Sequence, residues 1–243
     1  MQKAKSIAGV LGLLLVSLLL NTHTVVAQST IMNAPSTDVV AEKKVYFEFD
    51  YIGKPKSADD GGFTTIVPRA VVGVGGNIEV GVNVGLNDFG SAEPVEIQPN
   101  VKWRFYNNED NGVAAAAGGI LFLPVRDREA LADDNFGFIY TTVSKKVKAT
   151  YGPRLTGGVY GLAGRQDGNG TKGGAIVAYE QPLHSRVSFV TDWLSGKNRF
   201  GYVTPALSFT LPGNGLLNVG YSIGNSGAKS GNHALFIYYG VTF

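Results

Sequence analysis

Polar side chains that could bind or select a solute recur at every second position in several stretches of the chain. The richest stretch, residues 94–106, carries an acid, two amides and two bases at alternate positions: Glu96, Gln98, Asn100, Lys102 and Arg104. Because side chains alternate between the two faces of a β-strand, these five groups would share one face. Glu96, Lys102 and Arg104 form the densest charge cluster on such a face.

Seven more charged side chains occupy equivalent positions on other alternating stretches: Glu48, Asp50, Arg69, Glu79, Arg154, Glu180 and Asp192. Apolar residues lie between them, so each stretch has one polar and one apolar face. If these stretches are the strands of a closed barrel, the polar faces line its interior and the apolar faces form its exterior. Two interpretations of this interior remain open. Salt bridges between the acids and bases could hold a closed lumen rigid, or the charges could line a narrow pore that selects a small solute. Small residues on the same faces, such as Ala114, Ala116 and Gly118, leave space and favour the pore.

Residues suited to catalysis or metal binding are few. His23 lies in the apolar N-terminal region, His184 in a tight turn and His233 at the edge of a loop. A serine hydrolase on a barrel wall needs a histidine within hydrogen-bond reach of the serine, and neither of the later histidines falls within a strand. A zinc site needs three or four ligands, and the chain has no cysteine. We therefore expect no enzymatic activity, no metal site and no cofactor.

The N-terminus has the features of an export signal. Two lysines, Lys3 and Lys5, precede an apolar run over residues 7–20, and small residues lead up to Ala27. This pattern predicts a signal peptide over residues 1–27, since a membrane-spanning helix needs about 20 apolar residues. Residues 28–42 are polar and lack periodicity, which predicts a flexible periplasmic leader.

Short alternating stretches separated by turn signals fill the rest of the chain, residues 43–243. We count twelve predicted strands: Lys43–Ile52, Thr64–Gly75, Asn77–Leu86, Pro94–Tyr106, Gly112–Val125, Phe136–Val147, Thr150–Ala163, Gly174–Gln181, Arg186–Leu194, Phe200–Leu211, Leu216–Gly224 and Leu235–Phe243. Odd-numbered gaps are mostly long and polar, whereas even-numbered gaps are mostly tight. This alternation is typical of an all-β, closed, antiparallel up-and-down transmembrane β-barrel, in which long loops and short turns lie at opposite ends.

The last strand carries a second indication of a membrane barrel. Five residues share its apolar face, and the chain ends on an aromatic: Leu235, Ile237, Tyr239, Val241 and Phe243. This strand resembles the terminal strand of bacterial outer-membrane β-barrels, which the barrel-assembly machinery reads as a signal. The segment Pro68–Val125 resembles the barrels grouped with outer-membrane proteins of the phenol meta-pathway. The resemblance implies export to the bacterial outer membrane, with its lipids and the assembly machinery as partners.

Composition agrees with this interpretation. The chain contains 33 glycines, only 16% charged residues, and a formal charge of +2, which is too small to indicate nucleic-acid binding. The sequence therefore predicts an outer-membrane channel or transporter for passive passage of a small solute of unknown identity. A closed structural or surface-binding barrel is the alternative, and a membrane hydrolase is the third candidate.

Overall fold

The computed structural model describes residues 29–132, 134–225 and 233–243. The predicted signal peptide and part of the last predicted loop lie outside these residues. Within them, twelve strands follow one another along the chain: β1 (Val45–Lys54), β2 (Phe63–Gly75), β3 (Ile78–Asp88), β4 (Val95–Asn108), β5 (Val113–Arg126), β6 (Phe136–Lys146), β7 (Arg154–Ala163), β8 (Gly173–His184), β9 (Val187–Leu194), β10 (Tyr202–Leu211), β11 (Gly215–Gly224) and β12 (Ala234–Thr242).

The strands form a closed antiparallel barrel in which each strand pairs with its neighbours in sequence. Closure occurs between the first and last strands, where Phe47 lies opposite Val241 and Tyr51 lies opposite Ile237. The predicted fold class and all twelve predicted strands are confirmed. The largest difference is in β7, which begins at Arg154 because residues 147–153 form a turn in which the Val147 N–H donates to the Pro153 carbonyl.

Alternation along each strand separates a polar inside from an apolar outside. On β1, Glu48 and Asp50 are 4% and 0% exposed, whereas Phe47 and Phe49 are 49% and 52% exposed. This is the reverse of a water-soluble β-domain, where charged groups face solvent and aromatic groups fill the core. The arrangement therefore needs an apolar medium around the barrel.

Prolines within strands lie where one of the two hydrogen-bonded ladders is interrupted. Pro68 pairs with Phe49 of β1, but the ladder from β2 to β3 passes directly from Ile66 to Arg69. Pro205 likewise pairs with β9, and no pairing to β11 is formed at that position. A proline has no N–H to donate, so an interrupted ladder on one side accommodates it without loss of register.

The two ends of the barrel differ in the lengths of the connections between strands. Five connections of two to seven residues, together with the segment that enters β1 and the C-terminus, lie at one end, called here the turn end. The other six connections have six to nine residues and lie at the other end, called here the loop end. They include the single-turn helices Ala58–Asp60 and Arg128–Leu131. In the described part of the chain, no helix is long and apolar enough to cross a membrane.

The segment before β1 differs most from the sequence-based expectation. Residues 29–42, expected to belong to a flexible leader, are called here the plug segment; residues 29–40 are folded inside the barrel, and Ala41 and Glu42 are exposed where the chain turns into β1. Ile31, Met32 and Ala34 are completely buried, and Val40 is 2% exposed. Its irregular backbone avoids the cost of unpaired polar groups because polar side chains of the wall take up its N–H and C=O groups.

Candidate functional site

The tip of the plug segment is held by one carboxylate of the barrel wall. Asp192 of β9 is 1% exposed, and its Oδ2 atom accepts three successive backbone N–H groups: Met32 at 3.0 Å, Asn33 at 2.6 Å and Ala34 at 2.6 Å. The tip is a tight turn in which the Ile31 N–H donates to the Ala34 carbonyl. Hydrogen bonds to a charged acceptor contribute roughly 1.5–3 kcal/mol each, so this single side chain is a strong anchor.

A second anchor lies on the β7–β8 wall. Asp38 of the plug segment accepts from Arg154 at 2.6 Å, and Arg154 also binds Glu180 at 2.5 Å and 2.7 Å. Burial alone would raise the pKa of Asp38, but the Arg154 charge and hydrogen bond hold that pKa below its ordinary value. Asp38 is therefore ionised at neutral pH and shares the Arg154 guanidinium with Glu180.

A third anchor joins the plug segment to β3 and β4. Glu79 accepts from Ser29 Oγ at 2.5 Å and from the Val40 N–H at 2.7 Å, which brings the two ends of the segment to one side chain. Lys102 neutralises Glu79 at 2.9 Å and donates to the Ser29 carbonyl at 2.8 Å. A fourth contact, between Thr37 and Ser144 of β6 with hydroxyl oxygens 2.6 Å apart, completes the attachment.

Apolar packing fills the space between these anchors. Ile31 and Met32 form a buried cluster with wall residues that include Phe236 and Tyr238 of β12. The cavity that remains between the plug segment and the β1–β4 wall has a volume of only about 30 Å³. One water molecule takes up about this volume in the liquid. The plug segment thus occupies the lumen at this level, and the cavity beside it at this wall admits nothing larger than water.

On the loop side of the plug segment the lumen opens into a cavity of about 580 Å³, called here the vestibule. Thr30, Asn33 and Pro35 of the plug segment form its floor, and Phe63 and Phe89 line it near the loop end. Its volume lies within the range of about 300–1,000 Å³ that is usual for small-molecule sites. The vestibule can therefore hold a solute of modest size above the closed level.

An ion pair crosses the lumen beside the vestibule. Arg199 belongs to the connection between β9 and β10, and Glu96 belongs to β4 on the opposite side of the twelve-strand ring. Two hydrogen bonds join them, from Nη1 to Oε2 at 2.9 Å and from Nη2 to Oε1 at 3.1 Å. The connection that carries Arg199 is thereby folded inward across the mouth.

Aromatic rings support this inward fold. Phe122 and Phe136 stack with their centroids 4.8 Å apart, and Phe200 packs edge-on against both rings at 5.3 Å and 6.0 Å. The Arg199 guanidinium lies over the Phe122 ring at 5.1 Å, which is within the range of a cation–π interaction. Arg165, in the connection after β7, lies over Phe136 at 4.6 Å. One wall of the vestibule is therefore aromatic.

The predicted lumen-lining residues are distributed around this site. Arg69 lies between Glu48 and Asp50, at 3.1 Å and 2.7 Å. Four other predicted residues anchor the plug segment directly or through a partner, as described above: Glu79, Lys102, Arg154 and Asp192. Glu180 reaches the plug segment only through Arg154. Arg104 lies at the turn end, where it donates to Asn77 at 2.9 Å.

The remaining predicted polar residues form a continuous track along the β3–β4 wall. Asn100 donates to Asn83 at 3.1 Å, Asn83 donates to Gln98 at 3.2 Å, and Gln98 donates to Glu96 at 2.8 Å. Because Glu96 binds Arg199, the track ends at the ion pair that crosses the lumen. These amides offer hydrogen bonds along the barrel axis.

Sequence reasoning missed the plug segment, Arg199 and the aromatic wall. Arg199 lies in a connection, where no periodicity assigns an inward direction. Phe122 and Phe138 could have been found, since they alternate with outward-facing Leu121 and Ile139, which are 52% and 54% exposed. The two apolar residues Ile31 and Met32 within a polar leader were the available signal for the plug segment.

The other predicted sites lie away from the lumen. The five residues of the predicted assembly signal face outward on or beside β12, and Phe243 is 62% exposed. His184 is exposed at the turn end beside Ser185, and His233 stacks against Tyr221 at the loop end. Among the described residues, no group of three or more metal-ligating side chains is arranged to hold an ion.

Comparison with known proteins bears on the fold. No protein-family model matches the chain, and no curated protein sequence matches it. Among solved structures, it is similar to the crystal structure of the COG4313 outer membrane channel from Pseudomonas putida F1, with a TM-score of 0.55 over 86% of this chain and 98% of that chain. This chain has the fold of that channel. The sequence identity is 11%, so the likeness concerns the fold alone.

Proposed function

We propose that this protein is an outer-membrane channel that lets a small polar or amphipathic solute diffuse passively through its lumen. The observation that carries the proposal is a vestibule of about 580 Å³ inside a barrel whose outer face is apolar. Outward residues around the ring are half exposed, as for Trp103 at 51%, Leu155 at 56% and Val159 at 58%. Only helices and closed barrels satisfy every backbone polar group in lipid, and this barrel leaves no edge.

The route runs from the loop end through the vestibule, past the Arg199–Glu96 pair and along the amide track. Asn83, Gln98 and Asn100 can exchange hydrogen bonds with a passing solute. The aromatic wall around Phe122 of β5 lies beside this track, on the strand that pairs with β4. A lumen with both surfaces suits a solute that carries an apolar body and several hydrogen-bonding groups.

A second candidate is a closed structural barrel without transport. The observation that favours it is the plug segment, since only about 30 Å³ remains free beside it. In this case the anchors on Asp192, Arg154 and Glu79 would act as permanent salt bridges and hydrogen bonds that brace the wall.

Conductance separates the two candidates. The exported protein and a variant lacking residues 29–40 are incorporated into planar bilayers and recorded in symmetric salt. Removal of these residues leaves Lys43 and Lys44, which hydrogen-bond with Gly73 and Ala41, next to β1. A channel predicts discrete current steps in the full chain, and larger or more frequent steps in the deletion variant. Silence of the full chain, with the barrel folded, would support the structural candidate even if the deletion variant conducts, because removal of the plug segment opens either barrel.

Export and assembly belong to the same proposal. We infer that residues 1–27 direct export and that the outward face of β12 is read by the barrel-assembly machinery at the outer membrane. The apolar outer face and the fold shared with the Pseudomonas channel support this location. Both termini of the barrel would then lie in the periplasm, with the turn end, as in outer-membrane barrels in general.

A further inference from the structure

We propose that the plug segment is a gate, closed in this structure, and that Asp192 is its latch. The inference rests on the proposed channel function and names the device that regulates it. Residues 29–42 would remain attached to β1 and leave their position on the wall when the channel opens. A fixed plug would instead force every solute to pass beside it.

Passage of a solute requires the plug segment to move. The plug segment contacts the wall on several sides, at Asp192 of β9, Ser144 of β6, Arg154 of β7 and Glu79 of β3. The space left beside it holds about one water molecule. A solute that fits the vestibule is many times larger, so it cannot pass through this cavity while the segment stays in place.

The connection to β1 has the features of a hinge. Lys43 adopts a left-handed backbone conformation, with φ of 63°, which is uncommon for a residue other than glycine. Next to it, Glu42 forms a single bridge with Gly73 of β2. The ladder of β1 starts only at Val45. Movement of the segment would thus break few backbone hydrogen bonds of the barrel.

Three of the hydrogen bonds that hold the tip converge on one atom, beside those from Asn33 to Thr204 and from Tyr238 to the Ile31 carbonyl. Asp192 Oδ2 holds three consecutive N–H groups, whereas Asp192 Oδ1 is buried and has no hydrogen-bond partner among the described residues. The carboxylate is therefore committed to the plug segment and not to a neighbouring base of the wall. Loss of this one group would remove the backbone attachment of Met32, Asn33 and Ala34 together.

A reversible cross-link tests whether the segment must move. The chain has no cysteine, and the hydroxyl oxygens of Thr37 and Ser144 are 2.6 Å apart. In the full chain, Thr37→Cys combined with Ser144→Cys places two thiols where a bond of about 2.05 Å can form, since C–S bonds are longer than C–O bonds. Each single substitution serves as a control. Mass spectrometry establishes formation of the disulfide.

The gate predicts that oxidation reduces the open fraction of the double variant at least tenfold in planar bilayers and that a reductant restores it. The single-cysteine controls should not respond. Equal currents before and after verified cross-linking would overturn the gate and leave the channel intact. Silence of the full chain and of the variant lacking residues 29–40 would instead refute the channel itself.

The latch is tested separately by charge removal. Asp192→Asn keeps the shape and removes the charge, and Asp192→Ala removes the acceptor. The gate predicts that the open fraction rises about tenfold in the first variant and further in the second. Asp134→Asn is the matched control, because it removes an equally buried charge that pairs with Arg165 at 3.1 Å. The same rise in the control, or none in either Asp192 variant, would reject Asp192 as the latch.

Discussion

Arg199 and Glu96 form a two-bond ion pair across the lumen, although 103 residues separate them in the sequence. The pair joins a connection at the loop end to the opposite wall, and the Arg199 guanidinium also contacts the rings of Phe122 and Phe200. Glu96 is 1% exposed and accepts hydrogen bonds from Arg199 and, at 2.8 Å, from Gln98. The shape of the vestibule is therefore set by a contact between distant parts of the chain.

Removal of one member of this pair should destabilise the barrel more than removal of both. Breaking a buried ion pair from one side costs roughly 3–5 kcal/mol, because a buried charge is left uncompensated. Arg199 is partly exposed to water, so we expect Arg199→Met to lower the free energy of unfolding by about 3 kcal/mol, the lower end of this range. The double variant Arg199→Met with Glu96→Gln should recover most of this loss. Urea unfolding in lipid vesicles measures both values, and equal losses in the two variants would contradict the pairing.

A glycine of β2 makes room for the plug segment. A Cβ atom at Gly73 would lie 2.1 Å from the Ala41 carbonyl oxygen and 2.4 Å from that of Val40. Gly73→Ala should therefore displace residues 40–42 and cost about 1–3 kcal/mol, the usual range for overpacking. Faster cleavage of the plug segment by proteinase K is the expected readout.

Gly157 provides the matched control for this substitution, because an added Cβ there meets nothing within 4 Å. Gly157→Ala should leave the cleavage rate unchanged. Equal rates for the wild type and both variants would show that close approach to Gly73 does not hold the segment in place.

Arg104 should influence ion selectivity. It is half-buried at the turn end, beside Asn77, and its charge acts on Asp38 of the plug segment. Arg104→Glu changes the charge of this mouth by two units and should shift the reversal potential in a salt gradient towards that of the cation. Lys145→Glu makes the same change on the exposed outer side of the turn end, where screening over about 8 Å limits its effect. An unchanged reversal potential in Arg104→Glu would refute this role.

The Asp38–Arg154 contact gives the gate a defined pH dependence. Burial raises the pKa of Asp38, but the charge and hydrogen bond of Arg154, together with the charges of Lys102 and Arg104, lower it by more, so the net shift is downward. A carboxyl group with a lowered pKa stabilises the folded arrangement above its ordinary pKa, about 3.9, and this stabilisation is lost as the pH falls through the lowered value.

Between pH 5 and pH 8, the Asp38→Asn channel should accordingly have a larger open fraction than the wild type. The ratio of the two open fractions should not vary with pH over this range. Below about pH 3.9 the two proteins should converge, because the wild-type side chain becomes neutral as well. Open fraction measured across this range tests the contact. If the ratio of the two open fractions grew as the pH fell, the pH dependence would be opposite to that expected for the Asp38–Arg154 contact.

Period-two patterns predicted the strands well, because each strand separates lipid-facing from lumen-facing residues along its whole length. Val101, Trp103 and Phe105 alternate with polar neighbours, so the outer face of β4 is readable without any partner strand. The alternation of long and short loops then predicted that strands adjacent in sequence pair with each other in a closed up-and-down barrel. Both signals are local, and neither depends on which distant residues meet inside the barrel.

The plug segment has no such signal. Its binding is specified by Asp192, which lies 158 to 160 residues away from the N–H groups it accepts. A carboxylate at that position is equally compatible with a pore lining, a salt bridge or a latch. The direction of Arg199 is unpredictable for the same reason, since a connection has no alternating faces. These contacts are set by three-dimensional proximity after the barrel closes.

Spin labels on single cysteines test most directly the central claim that hydrocarbon surrounds the barrel and water enters its lumen. Val101→Cys and Val159→Cys place labels on the outer face, and Thr65→Cys places one in the vestibule. In lipid vesicles we expect the outer labels to collide mainly with dissolved oxygen and the inner label mainly with a water-soluble nickel chelate. Outer labels as accessible to the chelate as the inner one would contradict a lipid-facing exterior.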